Sequence, residues 1–154
     1  MTSVKEAIAA ACDDARQARN QGQLDQAGRY YARAAAMARV AGEHGALAHA
    51  LRHVSDIARE QGDTQLALEA GEEAVALYRP GSSTLDLANA LRLNALALQD
   101  FGSEPLSVPL WAEARTLYLA EGVQAGVGEC DRRLKDLTDA PLERRLADST
   151  ERPA

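Results

Sequence analysis

Aromatic residues are scarce in this sequence, with one Trp, four Tyr and one Phe, and there are only two cysteines and five prolines. Alanine and leucine must therefore fill the core, and the low Gly and Pro content excludes collagen-like and low-complexity chains. No uncharged apolar run approaches the ~18 residues that a membrane span requires. The stretch from Met1 to Ala11 carries Lys5 and Glu6 among its apolar residues, so it does not read as a secretory leader. An excess of positive charge is missing as well. The 17 Lys and Arg face 23 Asp and Glu, a net charge of -6, which disfavours nucleic acid and anionic lipid as partners. Cys12 and Cys130 lie far apart, with neither CxxC nor Cys/His zinc spacing, and are expected to be reduced, buried thiols of a cytoplasmic protein. GxSxG, HExxH, P-loop and Rossmann glycine patterns are all absent, and Asp13–Asp14 and Glu72–Glu73 are sequence neighbours that diverge on a helix. Neither catalysis nor a cofactor is expected.

What the sequence does have is an internal repeat. Gly22, Gly62 and Gly102 recur at a step of 40, and the same step relates Ala27, Ala67 and Ser107 as well as Ala34, Ala74 and Ala114. Arg52, Arg92 and Arg132 share it too. Each unit splits at its glycine into two helical patterns. Leu47, Ala50, Leu51, Val54, Ile57 and Ala58 follow one helical face, and Ala27, Tyr30, Tyr31, Ala34 and Met37 follow another. The glycines suit the left-handed position after a helix end, and Asp63 or Ser103 can cap the helix that follows. Helices are expected near 3–20, 24–40, 45–61, 64–79, 84–100, 105–121 and 124–138. Beyond Pro141, Leu142 and Leu146 suit one short further turn, and Ser149 to Ala154 are expected to be disordered.

These glycines, the small residues at 27, 67 and 107, the alanines at 34, 74 and 114, and the bulky Tyr31 and Trp111 resemble the tetratricopeptide-repeat pattern. The resemblance covers residues 3–138 and leaves 139–154 as a short extension. It implies an all-α, right-handed superhelical array of three helix-turn-helix repeats plus a C-terminal capping helix. Three features depart from the pattern. The step of 40 exceeds the common unit of about 34 and is closer to long-unit bacterial types. Gly71 stands where the other units have Tyr31 and Trp111, leaving space for a neighbour such as Leu68. Pro109 falls within the sixth helix, which is expected to start late or bend.

The resemblance implies that the first helix of each pair lines a groove for a partner peptide or helix. Carried over by position, the lining residues are Arg16, Arg19, Asn20, His49, Arg52, Asp56, Arg59, Asn89, Arg92, Gln99 and Arg132. Arg52, Arg92 and Arg132 would then form a row of forked donors suited to an acidic or C-terminal carboxylate. The plain alternative is that Arg52 pairs with Asp56 on a solvated face. The lysine–asparagine clamp known in peptide-binding relatives is absent, since its positions read Cys12 with Arg16, Arg52 with Asp56, and Arg92 with Leu96. His49, His53 and Asp56 share a stripe that could hold a metal, set against a reading as ordinary polar residues. Glu69, Glu72, Glu73 and Asp63 form one outer patch, and Arg29, Arg33 and Arg39 another. These charges offer a second function: a homodimer or larger assembly, structural or sensory, that packs on itself or around a small anionic ligand.

Overall fold

The computed structural model describes residues 1–81 and 83–139. Among these residues the chain forms seven α-helices and no strand: α1 (Val4–Asn20), α2 (Leu24–Ala41), α3 (His44–Glu60), α4 (Thr64–Tyr78), α5 (Thr84–Asp100), α6 (Glu104–Ala120) and α7 (Gln124–Asp139). The expected boundaries hold to within a residue or so. The expectations for Pro141, Leu142, Leu146 and residues 149–154 lie outside the described residues.

Five turns share one design. Gly22, Gly42, Gly62, Gly102 and Gly122 have φ of 74°, 69°, 78°, 84° and 71°, a left-handed conformation that L side chains resist. The residue after each glycine donates its N–H back to a carbonyl five residues earlier. These bonds are Gln23 to Ala18 and Glu43 to Ala38 at 2.9 Å, Asp63 to Ala58 at 2.9 Å, Ser103 to Leu98 at 2.8 Å, and Val123 to Tyr118 at 2.9 Å. Such a closure satisfies a carbonyl that the helix end would otherwise leave open. Gly42 and Gly122 therefore belong to the series, which steps by 20 except from Gly62 to Gly102, where α4 ends at Arg79 without a left-handed glycine.

Two helix starts are capped by side chains. Ser3 forms a capping box with Glu6: its hydroxyl accepts from the Glu6 N–H at 3.2 Å, and the Glu6 carboxylate accepts from the Ser3 N–H at 2.9 Å. Asp63 accepts from Leu66 N–H at 3.1 Å, as expected. Ser103 makes no side-chain cap; instead its carbonyl accepts from the Leu106 N–H at 3.0 Å. Nor does α6 start late. It begins at Glu104 with Pro105 in its first two positions, where a missing N–H costs nothing, and it continues through Pro109.

The helices form two compact units, one over Met1–Ser83 and one beginning at Thr84. In the first, α1 packs on α2, α2 on α3 and α3 on α4; in the second, α5 packs on α6 and α6 on α7. Small residues mark the helix crossings. Ala27, Ala67 and Ser107 are 0% exposed, as are Ala34, Ala74 and Ala114, so neighbouring backbones approach with no bulky side chain between them. Trp111, also 0% exposed, is the largest fully buried side chain. Gly71 is buried in α4, and Leu68 is half-buried. On α7, Val127 and Cys130 are buried, while Leu134 and Leu137, and Val123 just before the helix, are half-buried.

Gly126 carries a tighter constraint. A Cβ there would sit 2.5 Å from Tyr118 Cγ, against a ring that is 2% exposed and whose hydroxyl donates to Asn89 Oδ1 at 2.7 Å. Urea denaturation of three alanine variants should therefore rank them. Gly126→Ala should lose the most, about 1–3 kcal/mol from overpacking. Gly62→Ala, with open space but φ of 78°, should lose roughly 1–2 kcal/mol. Gly45→Ala, helical and in open space, should gain up to about 1 kcal/mol. Equal effects at Gly62 and Gly45 would contradict the turn analysis.

Candidate functional site

In the first unit, α1 and α3 run parallel on one side of α2, held in register by ion pairs. Lys5 meets Glu43 at 3.5 Å near their N-terminal ends, and Arg19 meets Asp56 at 2.8 Å and also Glu60 near their C-terminal ends. Towards the Lys5 end lies an open cleft of about 420 Å³, lined by Ile8, Ala9, Cys12, Ala46 and His49 together with the paired charges Lys5–Glu43 and Asp13–Arg16. Tyr31 of α2, 3% exposed, packs against the same region. Its ring stacks on His53 with centroids 4.5 Å apart and planes 8° apart, while His49 stands edge-on to both rings.

The charges here are unevenly matched. Arg16 donates to Asp13 at 2.6 Å, and Arg19 serves two carboxylates. Asp56 is thus held by Arg19 from the neighbouring helix, and the expected pairing of Arg52 with Asp56 within α3 does not form. The Arg52 Nε is buried and has no hydrogen-bond partner among the described residues. Leaving such a donor unsatisfied costs on the order of 1–3 kcal/mol. Burial and the nearby cations are both felt by the neighbouring rings. Burial, then Arg52, His49 and Arg19, push His53 down from 6.5 to about 3, with Asp56 opposing. Burial and Cys12 raise the Tyr31 phenol, while Arg19, Arg16 and Arg52 pull it the other way. The Cys12 thiol is raised by burial and by Asp13, and it is half-buried rather than buried as expected.

The second unit uses most of its expected groove residues internally. Arg92 forks onto Glu129 of α7 at 2.5 and 3.2 Å, so its donors are already matched to a carboxylate. Asn89 accepts from Tyr118, and Gln99 accepts from the Trp111 indole N–H at 2.9 Å. Arg133 lies over the Trp111 ring at 5.6 Å. Arg132 and, in the first unit, Asn20 are exposed, while Arg59 is half-buried. Lys5, Glu43, Glu60 and Glu129 are parts of these sites that the repeat grammar did not flag. Their signal is opposite charge at separations of 37 to 41, the distance between successive first helices.

Among the described residues, no group of three His, Cys, Asp or Glu side chains comes together to hold a metal. No described helix is long and apolar enough to cross a membrane. The opposed outer patches are partly joined within the chain, since Arg39 of α2 forks onto Glu73 of α4 at 2.5 and 3.0 Å. Cys130 is buried, and burial together with Glu129 and Asp131 pushes its thiol up to about 11.

The tetratricopeptide-repeat family model matches residues 15–79. Among solved structures, the N-terminal domain of stress-induced protein-1 (STI-1) from C. elegans superposes with a TM-score of 0.71 at 16% identity, covering 90% of this chain and 100% of that one. None of the curated proteins matches. Hairpins closed by left-handed glycines, small residues at the crossings and this likeness define the class by its fold, which is tetratricopeptide-repeat-like, with residues 15–79 matching the family model. Folds of this class commonly mediate protein–protein interaction.

The position of His53 sets an acid response. Between about pH 3 and 6.5 the unfolded chain binds a proton at this residue that the folded chain does not. Stability therefore falls as pH drops through that window. His53→Phe keeps a ring against Tyr31, and urea midpoints followed from neutral pH to about pH 4 should fall less steeply than in the parent. An unchanged slope would assign the acid sensitivity to the carboxylates instead.

Proposed function

We propose that this protein is a non-catalytic interaction module that receives an acidic partner peptide or helix on the shared face of α1 and α3. The observation that carries this reading is Arg52 on α3, three residues beyond the cleft-lining His49, whose buried Nε lacks a hydrogen-bond partner. A guanidinium in that state gains a charge-assisted, forked bond when a carboxylate arrives. Arg16 adds a second cation that is tied only to an exposed aspartate, and an exposed pair of that kind is worth about 0–1 kcal/mol and is readily exchanged. Arg92 and Gln99 are less suited to the role because Glu129 and Trp111 already engage them. The proposed surface is thus narrower than the one expected from the repeat phase alone. Arg16, Arg19, His49 and Arg52 form its centre, with Arg19 holding the two helices in register.

The test compares partner capture by the parent and by Arg52→Glu in cell extract, followed by dissociation constants for each captured protein. The expected result is a partner that loses about tenfold or more in affinity on charge reversal, the equivalent of one charge-assisted bond. Arg92→Glu serves as the comparison: it should reduce stability through Glu129 more than it reduces binding. A partner held equally well by the parent and by Arg52→Glu would refute the reading.

A further inference from the structure

Repeat arrays bury the apolar faces of each helical hairpin against the next, and the hairpins at their ends need a polar outer face to stay soluble. The first hairpin does not have one. Gly28 and Tyr31 mark the side of α2 turned towards α3, since a Cβ at Gly28 would stand 3.4 Å from Ile57 and the Tyr31 ring stacks on His53. The opposite side of α2, about half a turn round the helix, carries Arg29, Arg33, Ala36 and Val40. On that side Val4 and Ala7 of α1 join Ala36, Met37, Val40 and Ala41 of α2 around a second cleft of about 440 Å³, whose wall holds no charged side chain. Val40 at its lip is 91% exposed, and Val4 is 54% exposed.

Charge enters further along the same face. The two helices of the hairpin are antiparallel, and the cleft places Ala7 beside Met37. Asp14, seven residues on from Ala7, is therefore level with Tyr30, seven residues back from Met37, and so lies in height between Arg29 and Arg33. Asp14, Arg29 and Arg33 are exposed, and none of them makes an ion pair among the described residues. The face thus combines an acid on α1, bases on α2, and an apolar hollow with an apolar knob at its edge.

We propose that this end face is a self-association surface, and that it is covered by a second copy of the chain related by a two-fold axis running between α1 and α2. Such an axis lays α1 of each copy over α2 of the other and keeps every residue at its own height. Val40 of one copy enters the apolar cleft of the other, and Asp14 of each meets Arg29 and Arg33 of the other, so every contact forms twice. A face of one sign would repel itself in this pairing, whereas this one complements itself. Each helix is about 25 Å long and the hairpin is two helix diameters wide, so the pair buries roughly 1,000 Å² in total. That is the low end for a specific interface, and the dimer is reversible, with a dissociation constant in the micromolar range.

Sedimentation equilibrium of the full chain, from about 1 µM to about 1 mM, should show the mass rising from one chain to two. Val40→Asp, at a position too exposed to disturb the core, should weaken association about tenfold or more by setting a carboxylate against the apolar cleft. Asp14→Arg alone, and Arg29→Asp with Arg33→Asp, should each weaken it too, because each variant then pairs like charges twice. Mixing these two variants should restore association, since both meetings in the mixed pair again join opposite charges. Arg52→Glu, on the side facing α1 and α3, should dimerise as the parent does, whatever it does to partner capture. Urea midpoints confirm that each variant is folded. A mass of one chain at every concentration overturns the proposal and leaves the face to a segment of another protein. A dimer indifferent to Val40→Asp, or mixed variants that associate no better than either alone, places the contact elsewhere and overturns it as well.

Discussion

Everything else in this fold depends on a backbone closure that only glycine makes cheaply. Each left-handed glycine turns the chain back and lets the next N–H bond to a carbonyl five residues earlier, ending one helix and aiming the next. Because the closures recur every 20 residues, the helices have nearly equal length, and small residues come opposite one another at each crossing. The series has one gap. Position 82 is serine, and the chain divides into its two compact units immediately afterwards, between Ser83 and Thr84. The rule that builds each hairpin is thus suspended where the compact units part.

Above that backbone, ion pairs link alternate helices. Arg19 reaches from α1 to α3, Arg39 from α2 to α4, and Arg92 from α5 to α7, each to a carboxylate on the helix after next. Such pairs are individually weak where solvent reaches them. Their larger effect is on position, because they fix the register of helices that share a neighbour. They also decide which charges remain for other work. With Arg19, Arg39 and Arg92 engaged in this way, Arg52 on α3 is left with its buried Nε unmatched.

The architecture was almost wholly legible in the sequence, and the site much less so. Helix ends could be read because glycine, proline and small residues leave local marks that need no knowledge of what packs where. Even there the mark was read at half its density: Gly42 and Gly122 obey the same rule as Gly22, but the search for a full repeat passed over the half-step. Phase alone placed Arg19, Asn89, Arg92 and Gln99 on a ligand-facing surface. It could not show that Asp56, Tyr118, Glu129 and Trp111 would take them, since those partners come from other helices. The local rule that pairs Arg52 with Asp56, four residues apart, likewise lost to Arg19 from α1. His53 was legible only as a polar residue on a stripe, and its stacking on Tyr31 depends on how α2 lies against α3.

The two ends of the α1–α3 pair are not alike. At one end Lys5 is 77% exposed and only 3.5 Å from Glu43, whereas at the other Arg19 and Asp56 are each 28% exposed and 2.8 Å apart, with Glu60 joining them. Dissolved salt screens the first pair far more than the second. Added salt therefore weakens the link between α1 and α3 at its Lys5 end before it weakens the link at the Arg19 end.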